Sequence, residues 1–70
     1  MNIKITVVLK NGYEFTRVDK NKNITDIKDI FNHIMDNFYD ENTESLAFES
    51  SKGITNIIKN EIALLSVEEV

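Results

Sequence analysis

Cysteine and proline are absent from the chain, and glycine occurs only twice. Without cysteine, no disulfide framework and no thiolate metal site can staple the fold, so stability must come from packing or from self-association. Gly12 and Gly53 each stand alone. That excludes a P-loop and a dinucleotide fingerprint, both of which need glycines clustered at one phosphate-cradling turn. Long apolar runs are missing as well. Val7-Val8-Leu9 and Ile62-Ala63-Leu64-Leu65 fall far short of the roughly 20 residues of a membrane helix. The N-terminus alternates instead of forming a signal core, so a cytoplasmic location with no membrane contact is expected.

What is present describes a folded chain. Hydrophobic residues make up 41% and charged residues 29% of the 70 positions, the balance of a globular protein and not of a disordered one. This length supports one domain, spanning 1–70, whose core must be simple because so short a chain buries only about 60% of its unfolded surface. Ile, Asn and Lys are abundant while Ala, Gly, Pro and Arg are scarce. That skew follows A/T-rich codons and points to a low-GC source.

The net charge of −4 conceals an asymmetry. Residues 1–24 carry five basic and two acidic groups, whereas residues 25–51 carry one basic and seven acidic. The first hairpin and the middle of the chain thus present opposite potentials to any partner.

Along the chain, Ile3, Ile5, Val7 and Leu9 alternate with Lys4, Thr6, Val8 and Lys10, the period of a half-buried strand. Asn11-Gly12 follows, the pair that favours a two-residue type I′ hairpin, and the return strand is expected over 13–19. Such a turn opposes Lys10 to Tyr13, Val8 to Phe15, Thr6 to Arg17 and Ile5 to Val18. Val18 then joins the core, while Val8, Tyr13 and Phe15 lie outward among Lys4, Lys10 and Arg17. A three-residue loop with a bulge would turn Tyr13 and Phe15 inward and bring Arg17 to the core side beside Ile5. The first register is preferred for keeping Arg17 in water.

From Ile24 the period becomes helical. Ile24, Ile27, Ile30, Phe31, Ile34, Met35 and Phe38 form one stripe to about Tyr39, capped by Asn23 or Thr25. The opposite face collects Asp29, His33, Asp36 and Asp40. Strands are expected at 45–50, with Leu46 and Phe48 buried, at 54–58, and at 63–68 with Ala63, Leu65 and Val67 on one side. The fold class is therefore α+β in the order ββαβββ, an antiparallel sheet with one helix packed on one face and the other face open.

Few constellations carry chemistry. Asp29, His33 and Asp36 have spacings that bring carboxylate, imidazole and carboxylate to one helix face, but exposed helices more often carry such residues without a metal, and nothing orients the imidazole. Ser45, Ser50, Ser51 or Ser66 can be paired with His33 on paper, yet none sits in a strained nucleophile turn. The acidic groups lie on a convex face and not in a pocket that would shift their pKa values. No enzyme activity, metal or cofactor is expected.

Two surfaces remain. Tyr13 and Phe15 beside Lys10 and Arg17 are the residue types that stack bases and contact phosphate, but three cations on an acidic protein neutralise few phosphates, so nucleic acid ranks second. Val8, Tyr13, Phe15, Lys10 and Arg17 rank first as a protein-partner or homodimer interface, where exposed aromatics are enriched. Closely spaced carboxylates on the helix stripe, with Glu41 and Glu44, also allow mimicry of a phosphate backbone.

The run Lys10-Asn11-Gly12-Tyr13-Glu14-Phe15 after an alternating strand, one helix, and the ending Ile62-Ala63-Leu64-Leu65-Ser66-Val67-Glu68-Glu69 resembles small hypothetical proteins of phages and prophages of low-GC Gram-positive bacteria. The resemblance implies an accessory product that binds and inhibits a host enzyme or defence system, as anti-CRISPR proteins do. The expected function is thus stoichiometric binding of a protein partner.

Overall fold

A computed structural model describes every residue, Met1–Val70. Its elements are strands β1 (Ile3–Leu9) and β2 (Glu14–Asp19), helix α1 (Ile24–Phe38), strands β3 (Ser45–Ser50) and β4 (Gly53–Ile58), a single 3-10 turn at Lys59–Glu61, and strand β5 (Ile62–Glu69). The protein is α+β in the order ββαβββ, with every strand pair antiparallel.

The strands divide between two sheets: β2-β1-β5, with β1 central, and the hairpin β3-β4. One continuous sheet is therefore not formed. Ile3, Ile5 and Val7 of β1 are fully buried because a central strand is flanked on both edges and covered on its inner face. Around them Phe15, Ile34, Leu46, Phe48 and Ile57 complete the core, with Leu9, Ile30, Met35, Phe38, Ile62, Leu65 and Val67 at its margin. Helix and β3-β4 hairpin thus share the same inner face.

The first hairpin takes the bulged register, which corrects the preferred one. Val7 opposes Phe15, Ile5 opposes Arg17 and Val8 opposes Glu14. The loop is Lys10-Asn11-Gly12, closed by Gly12 N–H donating to Leu9 O at 2.9 Å and Leu9 N–H to Tyr13 O at 2.8 Å. Gly12 holds φ +92°, the left-handed residue of a three-residue hairpin loop. Asn11 has no positive φ and instead accepts the Tyr13 N–H through its side-chain oxygen at 3.0 Å. The physical reason lies in the core. A one-residue slip exchanges the whole inner set of β2, and this register buries Phe15 (8% exposed) where the other would bury the smaller Val18 (48% exposed). The Phe15 ring meets Phe48 with centroids 5.4 Å apart.

Helix α1 is capped by Asn23, whose N–H donates to the Asp26 carboxylate at 2.6 Å, half of a capping box. The apolar stripe is tilted from the expected one. Ile34 is buried and Ile27, Ile30, Met35 and Phe38 are half-buried, while Ile24 and Phe31 are exposed. In β5 a bulge opposite Val8 and Leu9 pairs Val8 with Leu64 and Leu9 with Ile62. Ala63 is the extra, exposed residue, so Ile62 takes the inner position expected of Ala63. No helix is long and apolar enough to cross a membrane.

Candidate functional site

The residues expected to form an outward aromatic and basic face are spread over separate surfaces. Phe15 is in the core, and Arg17 lies on the inner side of β2. Val8 is half-buried on the outer face between Glu14 and Leu64, Lys10 is exposed in the loop, and Tyr13 is exposed where β2 begins. The outer face is instead polar at its middle, where Thr6 stands between Thr16 and Ser66, and Lys4 lies between Val18 and Glu68.

Arg17 answers the objection to this register. Its Nη2 donates to Asp19 Oδ2 at 3.0 Å and its Nη1 to Glu49 O at 3.1 Å. Nε lies 2.9 Å from Asp19 Oδ1 but is not aligned on it, leaving a close ionic contact without a hydrogen bond. Arg17 and Asp19 share a face because they are two apart on a strand, so the guanidinium enters the inner side already paired.

The bond to Glu49 O locates the open edge of β3. Lys59 N–H donates to Glu44 O at 2.9 Å, and the register continues as Ser45 to Ile58, Leu46 to Ile57 and Ala47 to Asn56. Hydrogen-bonded and non-hydrogen-bonded pairs alternate in an antiparallel ladder, so Glu44, Leu46 and Phe48 bond to β4. Ser45, Ala47 and Glu49 turn their main-chain groups away from it. Only the Glu49 carbonyl meets a protein donor there.

A furrow follows this edge in two lobes that share Arg17 and Glu49. The first, about 630 Å³, is walled by Asp29, Ile30, His33, Ile34 and Asn37 of α1 and by Thr43 with Ser45 to Glu49. The second, about 780 Å³, lies between Thr16 to Lys20 with Lys22 and Glu49 to Lys52. The first combines Ile30, Ile34, Leu46, Ala47 and Phe48 with the charged groups Asp29, Glu49 and Arg17. The second is polar and carries Lys20, Lys22 and Lys52 together with Arg17, Asp19 and Glu49.

Asp29, His33, Asp36 and Asp40 are all exposed, but the structure does not gather them into one site. Asp29 and His33 face the first lobe. Asp40 lies beyond the end of α1, where its carboxylate accepts the Asn42 N–H at 2.9 Å and its carbonyl accepts Lys59 Nζ at 3.0 Å. No three His, Asp or Glu side chains are grouped to hold a metal ion. Ser45 shares the first lobe with His33 without a hydrogen bond between them, so the pairing has no nucleophilic geometry. The β3 edge and the lysine lobe escaped the sequence reading because alternation tells which side chains face inward and not which strand edge is left unpaired. Comparisons with protein-family models, with curated proteins and with solved structures give no match.

Proposed function

We propose that the protein is a non-enzymatic interaction module that acts by stoichiometric binding of a protein partner, with the furrow along β3 as its binding surface. One observation carries the reading: a strand edge on which the main-chain groups of Ser45 and Ala47 meet no protein partner lies open beside α1, with half-buried Ile30 and exposed Ala47 along the furrow. The lobe is concave and mixes apolar with polar and charged side chains, the composition of an ordinary recognition surface. Its acidic side chains and lone histidine are exposed, an arrangement suited to recognition and not to proton transfer. The likeness to phage accessory products extends the proposal to an inhibitor working in the cytoplasm of a low-GC host.

Nucleic acid is not proposed as the ligand, because Phe15 is buried and Arg17 is paired with Asp19, which leaves no joint basic and aromatic platform. Homodimerisation through Val8, Tyr13 and Phe15 likewise loses its aromatic centre. The test is capture of a partner on the immobilised protein from a low-GC Gram-positive lysate, followed by calorimetry with the purified partner. A single partner binding at a fixed stoichiometry is expected. Turnover of a substrate by the protein alone, or the lack of any stoichiometric partner, would overturn the proposal.

A further inference from the structure

The other free edge of the β3-β4 hairpin belongs to β4, Gly53-Ile54-Thr55-Asn56-Ile57-Ile58, which pairs with β3 alone. The ladder that starts at Glu44 and Lys59 bonds Ile57, Thr55 and Gly53 to β3, so Ile54, Asn56 and Ile58 turn their N–H and C=O groups outward. Those groups meet no protein partner. Natural sheets blunt such edges with charge, proline or a bulge. β4 has none of these, and Ile54, Thr55, Ile57 and Ile58 are β-branched. The same outward-bonding residues hold their side chains on the outer face of the hairpin, where Ile54 is 73% and Ile58 53% exposed. The β3 edge differs. Its Glu49 carbonyl is taken by Arg17, Glu49 adds a carboxylate, and Asp29, His33 and Asn37 of α1 line the approach.

We infer that a second copy of this chain occupies the β4 edge, the two β4 strands pairing antiparallel about a two-fold axis at Asn56. A two-fold contact must be self-complementary, and β4 is. With the axis at Asn56, Ile54 opposes Ile58 of the partner subunit and Asn56 opposes its own copy, so every outward main-chain group meets its complement. Moving the axis to Thr55 or Ile57 would instead oppose Ile58 to Lys52 or Ile54 to Asn60. The isoleucines then form cross-strand pairs on one face. At the axis the Asn56 amides offer each other a donor and an acceptor. Each copy carries a net charge of −4, but none of it stands on β4, and charges farther off are screened beyond about 8 Å at physiological salt. Pairing also makes the two-stranded sheet half of a four-stranded one, and two strands alone are only marginally stable. The contact is one strand edge long, in the small, transient class below about 1,200 Å², which puts its dissociation constant on the order of 100 µM. The furrow along β3, on the opposite edge of the hairpin, stays free.

The test is sedimentation of the full chain from about 50 µM to about 1 mM, a range that brackets that constant, with amide hydrogen exchange at both ends of it. The mass should rise from 8.1 kDa toward twice that value and stop, because an isologous contact closes at two copies. Exchange at Ile54, Asn56 and Ile58 should slow with concentration, while Thr55 and Ile57, already bonded to β3, should not change. Ile54→Lys and Ile58→Glu alter exposed side chains and should keep the melting curve within a few degrees. Each should weaken association about tenfold. The double variant should associate more tightly than either, because the introduced ammonium and carboxylate then oppose each other across the axis. Should a variant unfold, the exchange pattern of the wild type decides the matter. A mass of 8.1 kDa up to about 1 mM, assembly beyond two copies, a dimer without slowed exchange at Asn56, or a folded double variant no stronger than the single ones overturns the inference. So does a dimer that Ala47→Pro dissociates and Ile54→Lys does not, which places the contact on β3.

Discussion

At the scale of single residues, the hairpin register turns on Phe15 and Val18. Their spacing is odd, so any register that hides one exposes the other. Phe15→Glu places a carboxylate among Val7, Phe48 and Leu46 with no partner, and the lost aromatic burial alone costs about 3–5 kcal/mol. That is a large share of what so small a domain has to spare. The variant should be unfolded by circular dichroism at room temperature, whereas Val18→Glu, on the polar outer face beside Lys4, should melt within a few degrees of wild type. The opposite ranking would restore the two-residue turn. What made the register hard to read was Arg17: taken alone it argues against the inner face, and only its pairing with Asp19 and the Glu49 carbonyl removes that cost. The spacing of Arg17 and Asp19 was visible in the sequence. The carbonyl, thirty-two positions away, was not.

At the scale of elements, the changes of period carried nearly all the information. Alternation marks β1 and β3, the Asn11-Gly12 turn marks the return strand β2, and the 3.6-residue stripe marks α1, whose end at Phe38 falls one residue before the expected one. The division into two sheets was not legible, because pairing β1 with β5 joins the two ends of the chain, and no local signal specifies a contact of that span. The start of α1 is specified locally and can be tested so. Asp26 serves both as the reciprocal partner of the Asn23 N–H and as a negative charge in the first turn. Asp26→Ala removes both and should cost about 1 kcal/mol. In a thermal melt that is a fall of about 4–8 °C for a domain of this size. A change below 2 °C, roughly the effect of an ordinary surface substitution, would show that the capping bond contributes little.

At the scale of the whole molecule, the placement of charge and apolar area decides how it meets others. The basic groups of the first hairpin do not share a surface: Lys4 lies on the outer face, Lys10 in the loop, and Arg17 on the inner side paired with Asp19. Few phosphates can be neutralised at once, so binding to single-stranded DNA at about 150 mM salt should be undetectable by fluorescence anisotropy. Submicromolar affinity at that salt would require a different face, and Lys20, Lys22 and Lys52 would be the first to replace. The same reasoning applies to self-association. On the outer face Val18 stands at one corner, 48% exposed, and Leu64 at the opposite end beside Val8, 52% exposed, with Thr16, Thr6 and Ser66 between them. Burying two such side chains, at about 1.5–3 kcal/mol each, does not meet the ~4–15 kcal/mol that association costs in lost freedom. Dimerising that face would also desolvate Lys4, Glu14 and Glu68, which are satisfied by water in the isolated chain. Through this face the wild-type protein should therefore not dimerise, so its mass by light scattering at tens of micromolar should equal that of Val18→Glu and of Leu64→Glu. A dimer that persists in Val18→Glu and Leu64→Glu but dissociates on Ala47→Pro would move the contact to the β3 edge, and one that dissociates in the first two variants would give the outer face back its role.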